Sequence, residues 1–195
     1  MKNELTGQLV IVSGPSGAGK SSVLERLLTR SPLPLQLSIS VTTRSPRPSE
    51  QDGRDYIFID HEDFVSRREA GEFLECMEVF GRGHWYGTLR QTVEEGLEAG
   101  KWVVLEIDVH GMLLVTEQMP LALTIFLHPG SLAELEDRLR KRGTEDEKDL
   151  QRRLEVARKE LEYLPRYRFE VINDTIDRAV DEISAILLGE REHVG

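Results

Sequence analysis

Short, unbroken apolar runs alternate along the chain with stretches in which apolar residues recur every three or four positions. Gln8-Leu-Val-Ile-Val12 predicts a strand buried on both faces. From Lys20 to Arg30, Val23, Leu24, Leu27 and Leu28 fall at helical spacing. Trp102-Val-Val-Leu-Glu-Ile-Asp108, Leu121-Ala-Leu-Thr-Ile-Phe-Leu127 and Phe169-Glu-Val-Ile172 predict three further strands. A last helix is expected from about Asp177 to Leu188. Strands separated by helices predict an α/β fold, with a parallel sheet and helices on both faces.

Two segments interrupt that rhythm. Residues 36–89 contain short alternating runs, Leu37-Ser-Ile-Ser-Val41 and Tyr56-Ile-Phe-Ile59, which suggest a small antiparallel insertion. Residues 131–155 are dense in Arg and Glu. Ser131-x-x-Glu134 and Thr144-x-x-Glu147 are capping boxes, so two helices are expected to begin there. Leu150, Leu154, Ala157, Leu161 and Leu164 then form one apolar helix face. Both segments look too short and too polar for cores of their own. They are therefore expected to be flaps on one domain.

Composition narrows the partners. The 195 residues suit one domain with a substantial core. With 35 Asp and Glu against 25 Lys and Arg, the formal net charge is −10. Duplex nucleic acid binding runs on phosphate neutralisation, so an acidic chain is not expected to bind nucleic acid in that way. An anion would need a local, positively lined site. Cys76 is the only cysteine, so no internal disulfide can form and no cysteine cluster can hold a metal. Without motif partners it reads as a small apolar residue, not a nucleophile. No apolar run is long enough to cross a membrane, and Leu9 to Val12 is too short for a signal-peptide core. Cytoplasmic location is the expectation.

One motif carries direct chemistry. Gly14-Pro-Ser-Gly-Ala-Gly19-Lys20-Ser21 fits G-x-x-x-x-G-K-S/T, after a strand and opening a helix. Its glycines let backbone N–H groups turn toward a phosphate, and the helix N-terminus adds its dipole. Lys20 should reach the β- and γ-phosphates, and the Ser21 hydroxyl should ligate Mg²⁺. At the end of a parallel strand, Glu106 and Asp108 could hold Mg²⁺ through water or contact a second substrate. The competing reading is a carboxylate capping the next turn.

Arg44 and Arg47 stand three apart in an extended, Pro-containing stretch that suits neither core nor helix. They can fork around one phosphate. By themselves they could equally form a solvated basic loop.

The cradle followed by T-T-R-x-x-R-x-x-E-x-x-G-x-x-Y-x-F over Thr42 to Phe58 resembles the guanylate kinases. The likeness continues through Glu72-Phe-Leu-Glu75, Trp85-Tyr-Gly-Thr88, Leu105-Glu-Ile-Asp108, Arg142-Gly-Thr-Glu145 and Val171-Ile-Asn-Asp174. It implies a P-loop kinase with a five-stranded parallel sheet flanked by helices, a small mixed GMP-binding insertion and a mobile helical lid. The implied limits are a single domain, 1–195, with its core at 1–35, 90–130 and 156–195. The flap is 36–89 and the lid 131–155.

The implied activity transfers the ATP γ-phosphoryl group to GMP or dGMP, with Mg²⁺, in a monomer or homodimer. Residue by residue, the resemblance puts Gly14, Pro15, Ser16, Gly17, Ala18, Gly19, Lys20, Ser21 and Ser22 around ATP, with Arg138, Arg142 and Asn173. It puts Arg44, Arg47, Tyr56 and Tyr86 on the GMP phosphate and Ser40, Glu75 and Thr88 on guanine. Glu106 and Asp108 fall at the GMP site, Asp108 also reaching the metal through water. Lys20, Arg44, Arg138, Arg142 and Arg153 are the implied catalytic residues, and Ser21 the metal ligand.

Three features depart from the family pattern. The loop Gly81-Arg-Gly-His-Trp85 is longer, Glu106 replaces the Asp of some members, and His110 replaces a commoner Gln. His110 reads as a solvated or locally bonded side chain. The remaining Arg and Glu of 134–160 read as a solvated helix face. A scaffold that binds phosphopeptides would be expected to have a degraded cradle, whereas this one is intact. A P-loop kinase for another substrate is the third possibility, and the Ser40, Glu75 and Thr88 set argues against it.

Overall fold

The first strand owes its position to a run with almost no polar break. In β1 (Gln8–Ser13) every residue after Gln8 is buried. The computed structural model describes residues 7–79, 83–142 and 147–194. α1 (Lys20–Arg30) follows and buries Val23, Leu24 and Leu27. β7 (Trp102–Glu106) and β8 (Leu123–His128) are also continuously buried in their interiors, as expected of central parallel strands. With β2 (Leu35–Leu37) and β9 (Phe169–Ile172) they form a five-stranded sheet in the order β2-β7-β1-β8-β9. The sheet is all-parallel and flanked by helices, as the sequence predicts.

The chain divides into two compact units. One comprises Met1–Val10, Leu35–Leu105 and His110–Ala122. It holds a second, four-stranded sheet of β3 (Val41–Thr42), β4 (Ile57–Phe58), β5 (Phe73–Val79) and β6 (His84–Leu89), in the order β4-β3-β6-β5. α2 (His61–Glu69), α3 (Arg90–Glu98) and most of α4 (Val109–Gln118) accompany it. Asp60 caps α2 by accepting from the Asp63 N–H at 2.8 Å.

The other unit comprises Ile11–Pro34, Glu106–Val109 and Leu123–Gly195. It holds α1, β8 and β9, with α5 (Leu132–Arg142), α6 (Glu147–Leu161) and α7 (Ile176–Val194).

Several expectations are corrected. The run Leu37 to Val41 is not one strand of the insertion. Leu35–Leu37 pairs in parallel with Trp102–Val104, and the Ser38 N–H still donates to the Val104 carbonyl at 2.9 Å. Only Val41–Thr42 joins the second sheet. That sheet is mixed, because β3 runs parallel to β4 and antiparallel to β6.

Each interrupting segment also has its own apolar cluster. In the insertion, Val41, Phe64 and Phe73 are buried with Ile57, Ile59, Cys76, Trp85 and Leu89 against them, and Phe64 stacks on Phe73 at 4.5 Å. In the helical segment, Leu135, Leu139, Leu150, Leu154 and Ala157 pack together. Sparse apolar residues suffice because separate elements pool them.

The apolar face of α6 ends at Leu161. Leu164 instead opens a 3-10 turn, Leu164–Arg166, whose Pro165 has no N–H and restricts the residue before it. The strand expected at Trp102–Asp108 is trimmed to β7, the one expected at Leu121–Leu127 is shifted to Leu123–His128, and the last helix runs on to Val194. Ser131 accepts from the Glu134 N–H at 3.2 Å, as its capping box predicts. Thr144 lies outside the described residues.

Candidate active site

The loop after β1 is shaped by its glycines. Gly14 has φ +146°, and a Cβ there would stand 1.9 Å from the Leu127 carbonyl oxygen. Gly19 has φ +88° and would bring a Cβ to 2.6 Å from the Asn173 amide nitrogen. Both positions therefore require the residue without a side chain. Pro15, Ser16, Gly17 and Ala18 form the turn between them, with the Ala18 N–H donating to the Pro15 carbonyl at 3.0 Å. Lys20 donates to the carbonyls of Gly14 at 2.7 Å and Pro15 at 3.2 Å. Its ammonium is thus held beside the loop with one N–H remaining for an anion.

Asn173 and Arg138 brace this loop from behind. Asn173 is buried, and its side-chain amide donates to the Ala18 carbonyl at 2.7 Å. Arg138, on α5, donates to the Asn173 carbonyl at 2.5 Å and to that of Ala18 at 3.5 Å. Its described partners are carbonyls, so its charge is available to a phosphate. Arg153 is half-buried on α6, and Ser22 is exposed on α1.

The Ser21 hydroxyl donates to Glu106 Oε1 at 2.9 Å. A hydroxyl and a carboxylate at this separation are hard oxygen donors of the kind Mg²⁺ takes, with water and phosphate oxygens completing the shell. Glu106 and Asp108, assigned to the GMP side by resemblance, thus lie in the same unit as the cradle. The Ser13 hydroxyl donates to the Asp108 carbonyl at 3.5 Å.

Two further polar groups here escaped the sequence reading. Glu160 Oε2 is buried and has no hydrogen-bond partner among the described residues, and the Tyr167 hydroxyl is buried beside the Ser13 side chain. Burial pushes the Glu160 carboxyl up to about 7, with Lys20 opposing and Asp108 adding to the shift. Burial also raises the Tyr167 phenol above its ordinary range. The Arg- and Glu-rich run of α6 disguises Glu160 as one more solvated charge.

The insertion gathers the second set. Glu75 on β5 and Thr88 on β6 are directly paired across the sheet and both buried, and the Thr88 hydroxyl donates to Glu75 Oε1 at 2.7 Å. Tyr86 stands two residues from Thr88, on the same face of β6. Arg44 Nε donates to the Tyr86 hydroxyl at 3.0 Å. Tyr56 meets Tyr86 edge-on at 5.7 Å, and the Arg44 guanidinium lies 5.3 Å from the Tyr56 ring. Arg44 also makes a two-pronged pair with Glu50, at 2.9 Å for each prong. That pairing raises the Arg44 pKa and holds the Glu50 carboxyl below its usual range. Arg47 is exposed, while Ser40 is half-buried just before β3.

Arg44, Tyr56 and Tyr86 are thus in contact, Glu75 and Thr88 are paired in the same sheet, and Arg47 and Ser40 flank Arg44 in sequence. Cys76 is partly buried beside this set, and burial pushes its thiol pKa up. His110 is exposed at the start of α4. The Arg142 side chain lies outside the described residues, as do Gly81, Arg82 and Gly143 to Glu145.

The chain matches known proteins in sequence and in fold. The family described as guanylate kinase matches residues 6–190. A guanylate kinase of Rhodopirellula baltica is 55% identical over 187 residues, covering 95% of this chain and 90% of that protein. One of Thermotoga maritima is 44% identical over 190 residues, covering 97% and 90% respectively. The crystal structure of guanylate kinase from Anaplasma phagocytophilum superposes with a TM-score of 0.78 at 32% identity, over 94% of this chain and 86% of that one.

Proposed function

This chain belongs to the guanylate kinase family, and from that premise we propose that it transfers the γ-phosphoryl group of ATP to GMP and dGMP, giving ADP and the nucleoside diphosphate. The observation that carries the substrate assignment is the buried Glu75–Thr88 pair on the same strand face as Tyr86 and its partner Arg44. An acceptor carboxylate for guanine N1–H and N2–H₂ then stands in one sheet with cationic and phenolic donors for a phosphate. The Thr88 proton is committed to Glu75, so the Thr88 oxygen would act toward guanine as an acceptor. The Ser40 hydroxyl is left to donate to O6.

In the reaction, a phosphate oxygen of GMP attacks the γ-phosphorus in line and ADP leaves. The attacking oxygen is already anionic, so no general base is required. Catalysis is then positioning plus neutralisation of charge spread over the equatorial oxygens. The loop N–H groups between Gly14 and Ser22 cradle the ATP phosphates, and Lys20 follows the charge on the β- and γ-oxygens. Arg44, Arg138, Arg142 and Arg153 supply further positive charge. Asn173 acts on the adenine side through its grip on the loop. Ser21 would hold Mg²⁺, with Glu106 and Asp108 reaching it directly or through water. Bound there, the ion would draw charge from the phosphate oxygens. Arg47, Tyr56 and Tyr86 hold the GMP phosphate.

We propose a cytoplasmic location, where ATP and GMP are both available, and a monomer or homodimer. No described helix is long and apolar enough to cross a membrane. An ADP-release assay with Mg-ATP and GMP, dGMP, AMP, CMP or UMP in turn tests the assignment. Turnover should be confined to the guanine nucleotides, and equal turnover of AMP would refute it.

A further inference from the structure

Arg44 has little left to offer a phosphate. Of the five N–H groups of a guanidinium, Nε donates to Tyr86 and one Nη1 hydrogen to the Ser45 carbonyl at 2.8 Å. The other Nη1 hydrogen and one on Nη2 go to Glu50. Among the described residues, a single Nη2 N–H remains. The side chain is only 14% exposed, and the Tyr56 and Phe58 rings stand 5.3 and 5.7 Å from its carbon.

Glu50 is held just as firmly. Its Oε2 also accepts the Arg47 backbone N–H at 2.8 Å, while its own N–H donates to the Arg47 carbonyl at 3.0 Å. Its side chain is 13% exposed, against 68% for Arg47. An incoming phosphate that expelled Glu50 would break both of its bonds from Arg44 and leave the Arg47 N–H without its acceptor.

We propose that Glu50 is a positioning residue for the phosphate-binding site, fixing Arg44 so that the monoester meets one Nη2 N–H and never displaces the carboxylate. The inference rests on GMP being the substrate. Arg44 then acts as a fixed, oriented charge. Because Tyr86 oxygen accepts from Arg44, its own proton is aimed elsewhere and can donate to the phosphate. The Arg47 side chain, 68% exposed and held to Glu50 by an ion pair 3.9 Å long, supplies the two-pronged contact. The depressed Glu50 pKa agrees with a carboxylate that stays charged throughout the neutral range.

The test compares GMP with guanosine, which has the base but no phosphate. Affinities for both are measured by titration for the wild type, Glu50→Gln, Glu50→Ala, Arg44→Lys and the Glu50→Ala/Arg44→Lys double variant, with thermal melts as the folding control. In both Glu50 variants, GMP affinity should fall about 10- to 100-fold, the scale of a lost charge-assisted pair. Guanosine affinity should stay within about twofold. The double variant should be little worse than Arg44→Lys, since Glu50 acts through Arg44.

Tighter GMP binding in the Glu50 variants would mean that Glu50 competes with the phosphate, and would overturn the proposal. Equal weakening of guanosine would show general support of the fold and overturn it too, as would additive losses in the double variant. A wild type that binds neither GMP nor guanosine would overturn the substrate assignment itself, so the two failures are distinguishable.

Discussion

Replacing Glu160 by Gln should stabilise the protein, and only at the higher end of the pH range. Glu160 sits in the last turn of α6 with Oε2 buried and, among the described residues, unpartnered. Burial holds its proton to about 7, against 4.5 for an ordinary glutamate. Between those values the folded chain keeps a proton that the unfolded chain has released. Stability therefore falls as pH rises from about 4.5 to about 7 and levels off above that. The displacement of about 2.5 units corresponds to roughly 3 kcal/mol at about 1.4 kcal/mol per unit. Glutamine keeps the shape and polarity but has no proton to lose, so it lacks this slope.

Urea unfolding of both proteins at steps between pH 4.5 and pH 8.5 isolates the effect, since titrating groups not coupled to Glu160 cancel in the difference. The advantage of Glu160→Gln should grow by about 3 kcal/mol across the range. For a chain of this length, that is on the order of 6–12 °C in Tm. A difference independent of pH, or one growing toward acid, would refute the burial assignment. Lys20 and Asp108 are the charged groups that bear on Glu160. Lys20→Met should therefore push the transition further up in pH.

Lys20→Ala should leave the fold intact and cost about 10²-fold or more in kcat, because its charge matters most as phosphoryl transfer proceeds; a folded variant with near-normal turnover would remove Lys20 from the mechanism. Glu75→Gln should lower kcat/KM for GMP by about one to three orders of magnitude, because an amide N–H₂ would face a guanine donor. Arg47→Lys, seeing only the phosphate, should weaken GMP without shifting the GMP-to-AMP ratio, and steady-state kinetics on both nucleotides reads the contrast. Asn173→Ala removes the donor that holds the Ala18 carbonyl, so it should destabilise by about 1–3 kcal/mol and raise the KM for ATP more than that for GMP. Equal effects on the two KM values would argue against an action through the cradle.

The cradle was legible because everything that makes it lies in one contiguous stretch. Gly14, Gly19, Lys20 and Ser21 are set by local backbone demands and by the strand and helix on either side, and those demands act on sequence neighbours. The same holds for the apolar runs of β1 and β8 and the Ser131 cap. The resemblance could name Glu75 and Thr88, but their spacing along the chain does not show that they bond to each other. That contact comes from the antiparallel register of β5 and β6. Leu37 to Val41 alternates like one strand, yet its ends belong to different sheets, because strand pairing depends on partners elsewhere in the chain: Leu37 pairs with Val104, and Val41 with Ile57 and Gly87. The parallel pairing of β3 with β4 has the same origin. Nothing in the sequence distinguishes Glu160 from the exposed glutamates around it, and the motif that contains Glu50 does not show that its carboxylate clamps Arg44. Burial and charge pairing are properties of what surrounds a side chain in space, and for these two carboxylates the tertiary structure alone assembles those surroundings.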